Sequence, residues 1–434
     1  MRRSLAAAFL FLFGLNSYGM KEASAGSGFY HSEAGLQFEV PSGSYVVERE
    51  IFSDSHPESL STVRIIKILP QGVSEESSLG GLARVQVEVF EPAPWADLNQ
   101  WASSVRDRSF LKTRDQWIKV GGQDALSLEI LSETGQVGSR EIFLIRKNQG
   151  ILISSRELPL LEALLKTIRF REPRELRQQD FRGGEGEAAQ DTSRAGEPRV
   201  RMIYLVPSDR VPDEGYRKGM ERAIRELQGF YQRELGGKTF ALHSPVVEVV
   251  RTQHPVAWYT TNAPASSSAG RFWESVVAEG FAVDQGRFDD PSNRWIFYID
   301  ADPLCGQYVG GTSGVALLPP NDLRGLTCQQ NIPVCGGSPD NAGLCRWVGG
   351  LGHELGHSFN LPHPTVGTCP GSDPGCDYAL MWLGYITFPN AYLLPADKKS
   401  LLKSPSTKKF FKARPLVPAE LCTTGCAGGA GGGS

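Results

Sequence analysis

Three of the seven histidines in this chain lie in one short stretch, GLGHELGHSFNLPHP, which runs from Gly350 to Pro364. On a helix, His353 and His357 would lie one turn apart on the same face, so both imidazoles could reach a single ion. Glu354 would project beside them, close enough to act on a metal-bound water without ligating the metal. The types and spacing of these residues indicate a metal site rather than an incidental set of surface histidines.

The residues around the histidines predict the elements that must hold them. One apolar stripe recurs at helical spacing through the motif, formed by Leu344, Val348, Leu351, Leu355 and Phe359. Asn360 is suited to ending this helix, because asparagine tolerates the left-handed backbone conformation. Leu361-Pro362 then turns the chain, and His363 can return as a third nitrogen ligand. Three imidazoles and one water form the open tetrahedral site that catalytic zinc uses.

With these residues in view, the sequence resembles the metzincins, zinc endopeptidases with the pattern HExxHxxGxxH followed by a methionine turn. Here the pattern reads HELGHSFNLPH, and only Asn360 departs from it, in place of glycine. The resemblance places Met381, in DYALMWLGY, at the Met-turn below the histidines. It also suggests Tyr385 as a stabiliser of the transition state, although its spacing from Met381 is longer than in family members that use such a tyrosine.

The resemblance implies one catalytic Zn²⁺ ion held by His353, His357 and His363. It further implies hydrolysis of peptide bonds by a zinc-activated water with Glu354 as general base, and therefore a peptide or protein substrate.

A glycine-containing segment, GGTSGVALLPPNDLRG from Gly310 to Gly325, falls where metzincins place an edge strand above the cleft. We expect such a strand to pair with the substrate backbone, and an ordinary surface hairpin is the alternative. The predicted edge strand consists of Gly314, Val315, Ala316, Leu317 and Leu318.

The fold class expected is α+β. A metzincin-like catalytic domain, with a mixed sheet and an active-site helix, follows a smaller α+β domain with an antiparallel sheet. The predicted division is a signal peptide (1–25), an N-terminal domain (26–172), a charged and Gly-rich linker (173–198), the catalytic domain (199–415) and a C-terminal tail (416–434). Within the domains we expect helices at Trp95–Arg106, Leu158–Thr167, Tyr216–Leu235 and Ala269–Gly280, and strands at Val200–Val206, Phe240–Val250 and Trp295–Ile299.

The start of the chain and the cysteines predict export, to the periplasm or the outside of the cell. A basic start and a short apolar run precede small residues at 23–25, which favours a cleaved signal over a membrane anchor. All eight cysteines lie between Cys305 and Cys426, and their even number favours disulfides. Loop-closing pairs such as Cys369 with Cys376, or Cys328 with Cys335, are possible, but the connectivity stays open.

Composition and charge exclude several partners. The formal net charge of −3 gives no basic face for nucleic acid, and no later segment is long and apolar enough to span a membrane. Calcium at the Asp-rich loops 289–290 and 373–377 is an alternative to solvated turns, which we favour. The sequence does not decide the oligomeric state.

Two other function classes remain open from the sequence. One is a secreted binding or adhesion module with little or no protease activity, which the presence of Glu354 disfavours. The other is a zinc hydrolase that acts on something other than peptide bonds. The N-terminal domain could be an inhibitory prodomain or a targeting domain, and no cysteine before Cys305 is available to block a metal.

Overall fold

A computed structural model describes residues 21–23, 29–32, 34–56, 59–73, 83–91, 93, 97–106, 112–131, 134–171, 197–262, 268–329, 332, 343–364 and 376–415. The predicted tail, almost all of the predicted linker, and the predicted signal peptide apart from 21–23 lie outside these ranges. The domain boundaries therefore stay predictions. No helix within the described ranges has both the length and the apolar character needed to cross a bilayer.

The N-terminal half, residues 21–171, consists of antiparallel strands and two helices. The predicted helices near Trp95 and Leu158 are confirmed. Gly121 and Gly122 both have positive φ, at 54° and 84°, as a two-residue hairpin turn requires, and they join the seventh and eighth strands. The elements are β1 Lys21–Ala23, β2 Phe29–His31, β3 Leu36–Glu39, β4 Ser44–His56, β5 Ser59–Pro70, β6 Val85–Glu91, α1 Leu98–Arg106, β7 Lys112–Val120, β8 Gln123–Leu131, β9 Val137–Arg146, β10 Gln149–Ser155, α2 Leu158–Thr167 and β11 Arg169–Phe170.

The C-terminal half, residues 197–415, alternates strands and helices as predicted. Its long helix begins at Asp213, whose carboxylate accepts hydrogen bonds from the backbone N–H groups of Gly215 and Tyr216. The elements are β12 Arg199–Val206, α3 Glu214–Glu234, β13 Lys238–Thr239, β14 Ala241–Arg251, α4 Arg271–Ala282, β15 Asn293–Ile299, β16 Gly310–Thr312, β17 Val315–Leu318, α5 Pro320–Leu326, α6 Leu344–Ser358, α7 Pro395–Lys403 and β18 Lys412–Ala413, with short helical turns at Trp258–Asn262, Cys376–Tyr378 and Leu380–Gly384.

A sheet of thirteen strands runs through both halves, in the order β14-β12-β15-β17-β16-β4-β5-β6-β10-β9-β8-β7, with β1 paired to β4 outside this path. Of the strands that the C-terminal half contributes to this sheet, β14, β12, β15 and β17 are parallel, and β16 runs antiparallel to β17. Strands of the N-terminal half that belong to this sheet are antiparallel to one another. The α+β class is therefore confirmed, with a mixed and an antiparallel part joined edge to edge.

The position of the predicted edge strand is wrong. Val315–Leu318 forms β17, a fully buried strand between β15 and β16, and Gly314 lies in the turn before it with φ of 91°. The C-terminal part of the sheet ends at β14 on one side and at β16, Gly310–Thr312, on the other, where β16 pairs with β4 of the N-terminal half. The segment forms a buried hairpin whose apolar arm lies inside the sheet and whose glycine-containing arm is β16, because only the apolar arm can fill the core.

The two halves share a hydrophobic core and a buried ion pair. Aromatic side chains from both halves meet in this core, where the rings of Phe90 and Tyr308 lie edge to face with centroids 6.5 Å apart. Lys67 of β5 contacts Glu274 of α4 at 3.2 Å, and both side chains are almost completely buried. A buried charge pair of this kind fixes how the halves dock, since neither charge can be left alone in the interior.

Replacing Lys67 by Met tests this contact. We expect Lys67→Met to lower the free energy of unfolding by about 3–5 kcal/mol, because it removes the cation 3.2 Å from a carboxylate that has no exposed surface. Urea denaturation measures the change. The double variant Lys67→Met/Glu274→Met is the control and should recover most of the loss; equal stability of the two variants would show that the ion pair contributes little.

Candidate functional site

Helix α6 carries two of the three histidines and is buried along almost its entire length. The predicted apolar stripe packs into the core below the sheet, where Val348, Leu351 and Leu355 have no exposed surface. Gly356 lets the helix approach its neighbour closely, because a Cβ atom there would lie 2.3 Å from the Met381 sulfur. Packing of the apolar stripe and of Gly356 therefore holds the helix in place independently of the two histidines.

The end of α6 has the geometry predicted for Asn360. This residue adopts the left-handed conformation with φ of 62°. The Asn360 N–H donates to the His357 carbonyl, and the Leu361 N–H donates to the Gly356 carbonyl, at 2.8 and 3.1 Å. This pair of bonds is the Schellman motif, which satisfies the last helical carbonyls and reverses the chain direction. The reversal brings His363 back toward the helix.

The three imidazoles converge on one point. The Nε2 atoms of His353, His357 and His363 lie 2.9–3.0 Å from one another. The His353 Nδ1 lies 2.8 Å from the Leu380 carbonyl oxygen, and the His357 Nδ1 lies 2.7 Å from the Leu361 carbonyl oxygen. Because a carbonyl can only accept, each Nδ1 carries the proton, which leaves the Nε2 lone pair pointing into the cluster.

This donor set fits a metal ion. Three nitrogens so close together can all lie about 2.0–2.1 Å from one divalent ion, the usual length of a zinc–imidazole bond. Burial, together with the neighbouring His353 and His363, lowers the pKa of His357 well below its usual value, so this ring is neutral and able to bind metal near neutral pH. Within the described ranges these histidines are the only set of three or more metal-ligating side chains close enough to share an ion.

Glu354 is buried beside this cluster, with 4% of its surface exposed. The strand β16 passes directly over the same part of α6. A Cβ atom on Gly311 would come within 2.7 Å of the Glu354 carbonyl oxygen, 2.8 Å of the His357 Cβ and 3.1 Å of the Glu354 Oε2. Only glycine permits so close an approach, so the edge of the sheet and the candidate general base belong to one site.

Met381, the residue expected at the methionine turn, and Tyr385, the suggested transition-state stabiliser, both lie against α6. Met381 is fully buried against Gly356, below the helix. Tyr385 is 7% exposed, and its ring lies edge to face against His353 with centroids 5.3 Å apart. The Arg346 guanidinium lies 4.8 Å from the centroid of the Tyr385 ring. Tyr385 therefore contacts a ligand ring rather than standing apart from it, and its role in stabilising a transition state stays a prediction.

Three contributors to the site were not anticipated from the sequence. These are Gly311, Trp382, whose ring lies 6.5 Å from that of His363, and the Leu380 carbonyl that orients His353. Trp382 could have been identified from the sequence, because it directly follows Met381. Gly311 and the carbonyl carry no side-chain signal and become visible only in the folded chain.

The Asp-rich loop at 289–290 shows no arrangement suited to calcium. The Asp290 carboxylate accepts hydrogen bonds from the backbone of Ser292, from Asn293 and from the Trp295 indole, so it caps a turn. Asp289 forms an ion pair with Arg49. Residues 373–375 of the second loop, and Cys369 and Cys335 of the suggested cysteine pairs, lie outside the described residues, so the pairing of the cysteines stays a prediction.

No protein-family model matches this chain, and no curated protein matches it. Solved structures similar to it include wild-type OgpA from Akkermansia muciniphila (21% identity, 51% of this chain and 64% of that chain, TM-score 0.33). A catalytically inactive OgpA in complex with an O-glycopeptide (glycodrosocin) substrate matches at 20% identity with the same coverage and TM-score. Metalloproteinase-II from Bacteroides fragilis matches at 9% identity over 84% of this chain and 88% of that chain, with a TM-score of 0.26. The chain spans less than two thirds of the length of the OgpA chains.

Substitutions at Asn360 test how the helix end positions His363. We expect Asn360→Ala to lower the free energy of unfolding by about 1–2 kcal/mol, because in the left-handed conformation the Cβ atom crowds the following carbonyl oxygen and alanine has no polar side chain to offset this cost. Asn360→Ala should also weaken Zn²⁺ binding, measured by competition with a chromophoric chelator. Asn360→Gly is the matched control and should retain both properties; equal losses in the two variants would mean that the asparagine side chain, not the backbone conformation, matters.

Proposed function

We propose that this protein is an exported zinc-dependent endopeptidase. The observation that carries the proposal is the convergence of three Nε2 atoms next to a buried glutamate, under a strand edge that closely approaches both. His353, His357 and His363 would hold the ion, and three protein ligands leave a position for water or substrate in a four-coordinate site. A purely structural zinc site would fill all four positions from the protein.

The ion, when bound, would polarise the scissile carbonyl and lower the pKa of the attacking water toward neutrality. Glu354 is the general base. It follows His353 on α6, so its carboxylate reaches the same side of the cluster without being one of the three ligands. It takes a proton from the attacking water and passes it to the departing amine.

The remaining residues position these groups. The Leu380 and Leu361 carbonyls fix the tautomers of two ligands, and Met381 supports the helix from below. Tyr385 holds the His353 ring from the side. Because the histidines must be unprotonated to bind an ion, hydrolysis should decline in acid as they take up protons.

The strand edge nearest the site supports a peptide as substrate. An extended peptide pairs with an exposed strand edge through its own backbone, which gives affinity without a particular side-chain sequence. The edge closest to Glu354 is β16, not the strand predicted from the sequence. Export is supported by the signal-like start of the chain and by the cysteine content, as argued from the sequence.

Replacing the proposed base tests the mechanism. We expect Glu354→Gln to bind Zn²⁺ as the parent does and to lose about 10²–10⁴-fold in the rate of peptide hydrolysis, the usual contribution of a positioned general base. The measurement is cleavage of a diverse peptide library, read by mass spectrometry. Glu221→Gln, on the surface of α3, is the control. Full hydrolysis by Glu354→Gln would refute the assignment of the base.

Removing the third ligand tests the metal site. His363→Ala should weaken Zn²⁺ binding by more than the about 10–100-fold typical of losing an outer-shell partner, since it removes a direct ligand. Isothermal titration of the metal-free protein with Zn²⁺ measures this change. His31→Ala, an exposed histidine on β2, should bind as the parent does. An unchanged affinity in His363→Ala would show that the ion is held by other residues.

A further inference from the structure

The edge of the catalytic half that lies closest to Glu354 is already paired by another part of the same chain. Strand β16 contacts β17 on one side and β4 of the N-terminal half on the other, with Gly311 opposite Phe52 in antiparallel register. An extended peptide needs that same edge for its backbone hydrogen bonds. In the described structure, β4 occupies the place of a substrate strand.

Further contacts hold β4 at this edge. The Thr312 hydroxyl donates to the Glu50 carbonyl oxygen, so the last residue of β16 is tied to the strand. The next turn is anchored to the catalytic helix, because the Gly314 N–H donates to the Ser358 carbonyl at 3.1 Å. A shift of β4 would therefore also displace the end of α6.

An ion pair joins β4 to the loop behind that turn. Arg49 is 5% exposed in its side chain, and its Nη1 lies 3.4 Å from the Asp289 carboxylate. The same guanidinium lies 4.3 Å from the ring centroid of Phe288. The Asp289 N–H donates to the Ser313 carbonyl, next to β16. Arg49 thus contacts the loop that supports the strand edge.

We propose that β4 is an intramolecular strand donor that keeps the catalytic half latent toward extended peptides, and that the Arg49–Asp289 contact helps to hold it in place. The N-terminal half is then an inhibitory domain that acts on the substrate edge and not on the metal. This inference rests on the proposed function, because it assigns the β16 edge to the peptide substrate. Activation requires β4 to leave β16.

The test uses the full-length chain loaded with Zn²⁺ and two zinc-binding probes. A tripeptide hydroxamate must pair with the strand edge, whereas acetohydroxamate reaches only the ion. Arg49→Glu places a second negative charge beside Asp289 and should open the edge. Asp289→Asn is a milder variant: it removes the negative charge at this position and keeps a residue that tolerates positive φ. Lys119→Glu makes the same charge change as Arg49→Glu on the exposed β7, at the far end of the sheet, and is the control.

We expect the tripeptide hydroxamate to bind Arg49→Glu about tenfold more tightly than the parent, a factor equal to about 1.4 kcal/mol. Asp289→Asn should show a smaller gain, and Lys119→Glu none. Acetohydroxamate should bind all four proteins alike. Hydrogen exchange of the metal-free proteins should show faster exchange at Gly310–Thr312 in Arg49→Glu and Asp289→Asn.

Hydrolysis provides a separate readout. Peptide cleavage by Arg49→Glu should exceed that of the parent, and Glu354→Gln in the same background should abolish the gain. If the hydroxamates behave as expected but no variant cleaves peptides, strand inhibition stands and the proposed endopeptidase activity fails. Equal affinity of the tripeptide hydroxamate for the parent and the two interface variants would overturn strand inhibition. Unchanged exchange at Gly310–Thr312 in both variants would overturn the role of Arg49.

Discussion

The mutual approach of three imidazole lone pairs is the constraint on which this structure depends. Such an arrangement is stable only if each ring is fixed in one tautomer and a cation lies between the nitrogens. For His353 and His357 the chain meets the first condition with main-chain atoms, because the Leu380 and Leu361 carbonyls accept their Nδ1 protons. Those carbonyls are correctly placed only if α6 ends at Asn360 and if the turn that contains Met381 passes below it. The helix end and this turn are thus parts of the metal site.

The same crowding shapes the sheet. Glycine at position 311 allows β16 to lie against the backbone of Glu354, and this contact leaves no room for a side chain. The side chains of such an edge strand are too small to shield its backbone N–H and C=O groups. An unshielded edge can pair with any extended segment. The N-terminal half provides one such segment. Its docking is specified by contacts away from the site, among them the buried pair of Lys67 and Glu274.

Local features of the structure could be predicted from the sequence, and features that depend on pairing could not. The helix with its two histidines, the left-handed Asn360 and the return of His363 after it follow from spacing and backbone preference within a short stretch of chain. The assignment of the edge to Val315–Leu318 was wrong because both arms of a hairpin have strand character, and only the neighbours decide which arm lies inside. Likewise, β4 and β16 are more than 250 residues apart in sequence, and the sequence of neither strand identifies the other as its pairing partner.

Covering the strand edge differs physically from blocking the metal. A side chain that ligates the ion must be expelled before any ligand can bind, so it shuts out small and large ligands alike. A strand on β16 supplies no ligand to the ion, so it competes only with ligands that need the edge. Because β4 belongs to the same chain, it competes at the high effective concentration of an intramolecular partner. A free peptide with the same backbone hydrogen bonds lacks this advantage, and it can pair with β16 only after β4 has left that strand.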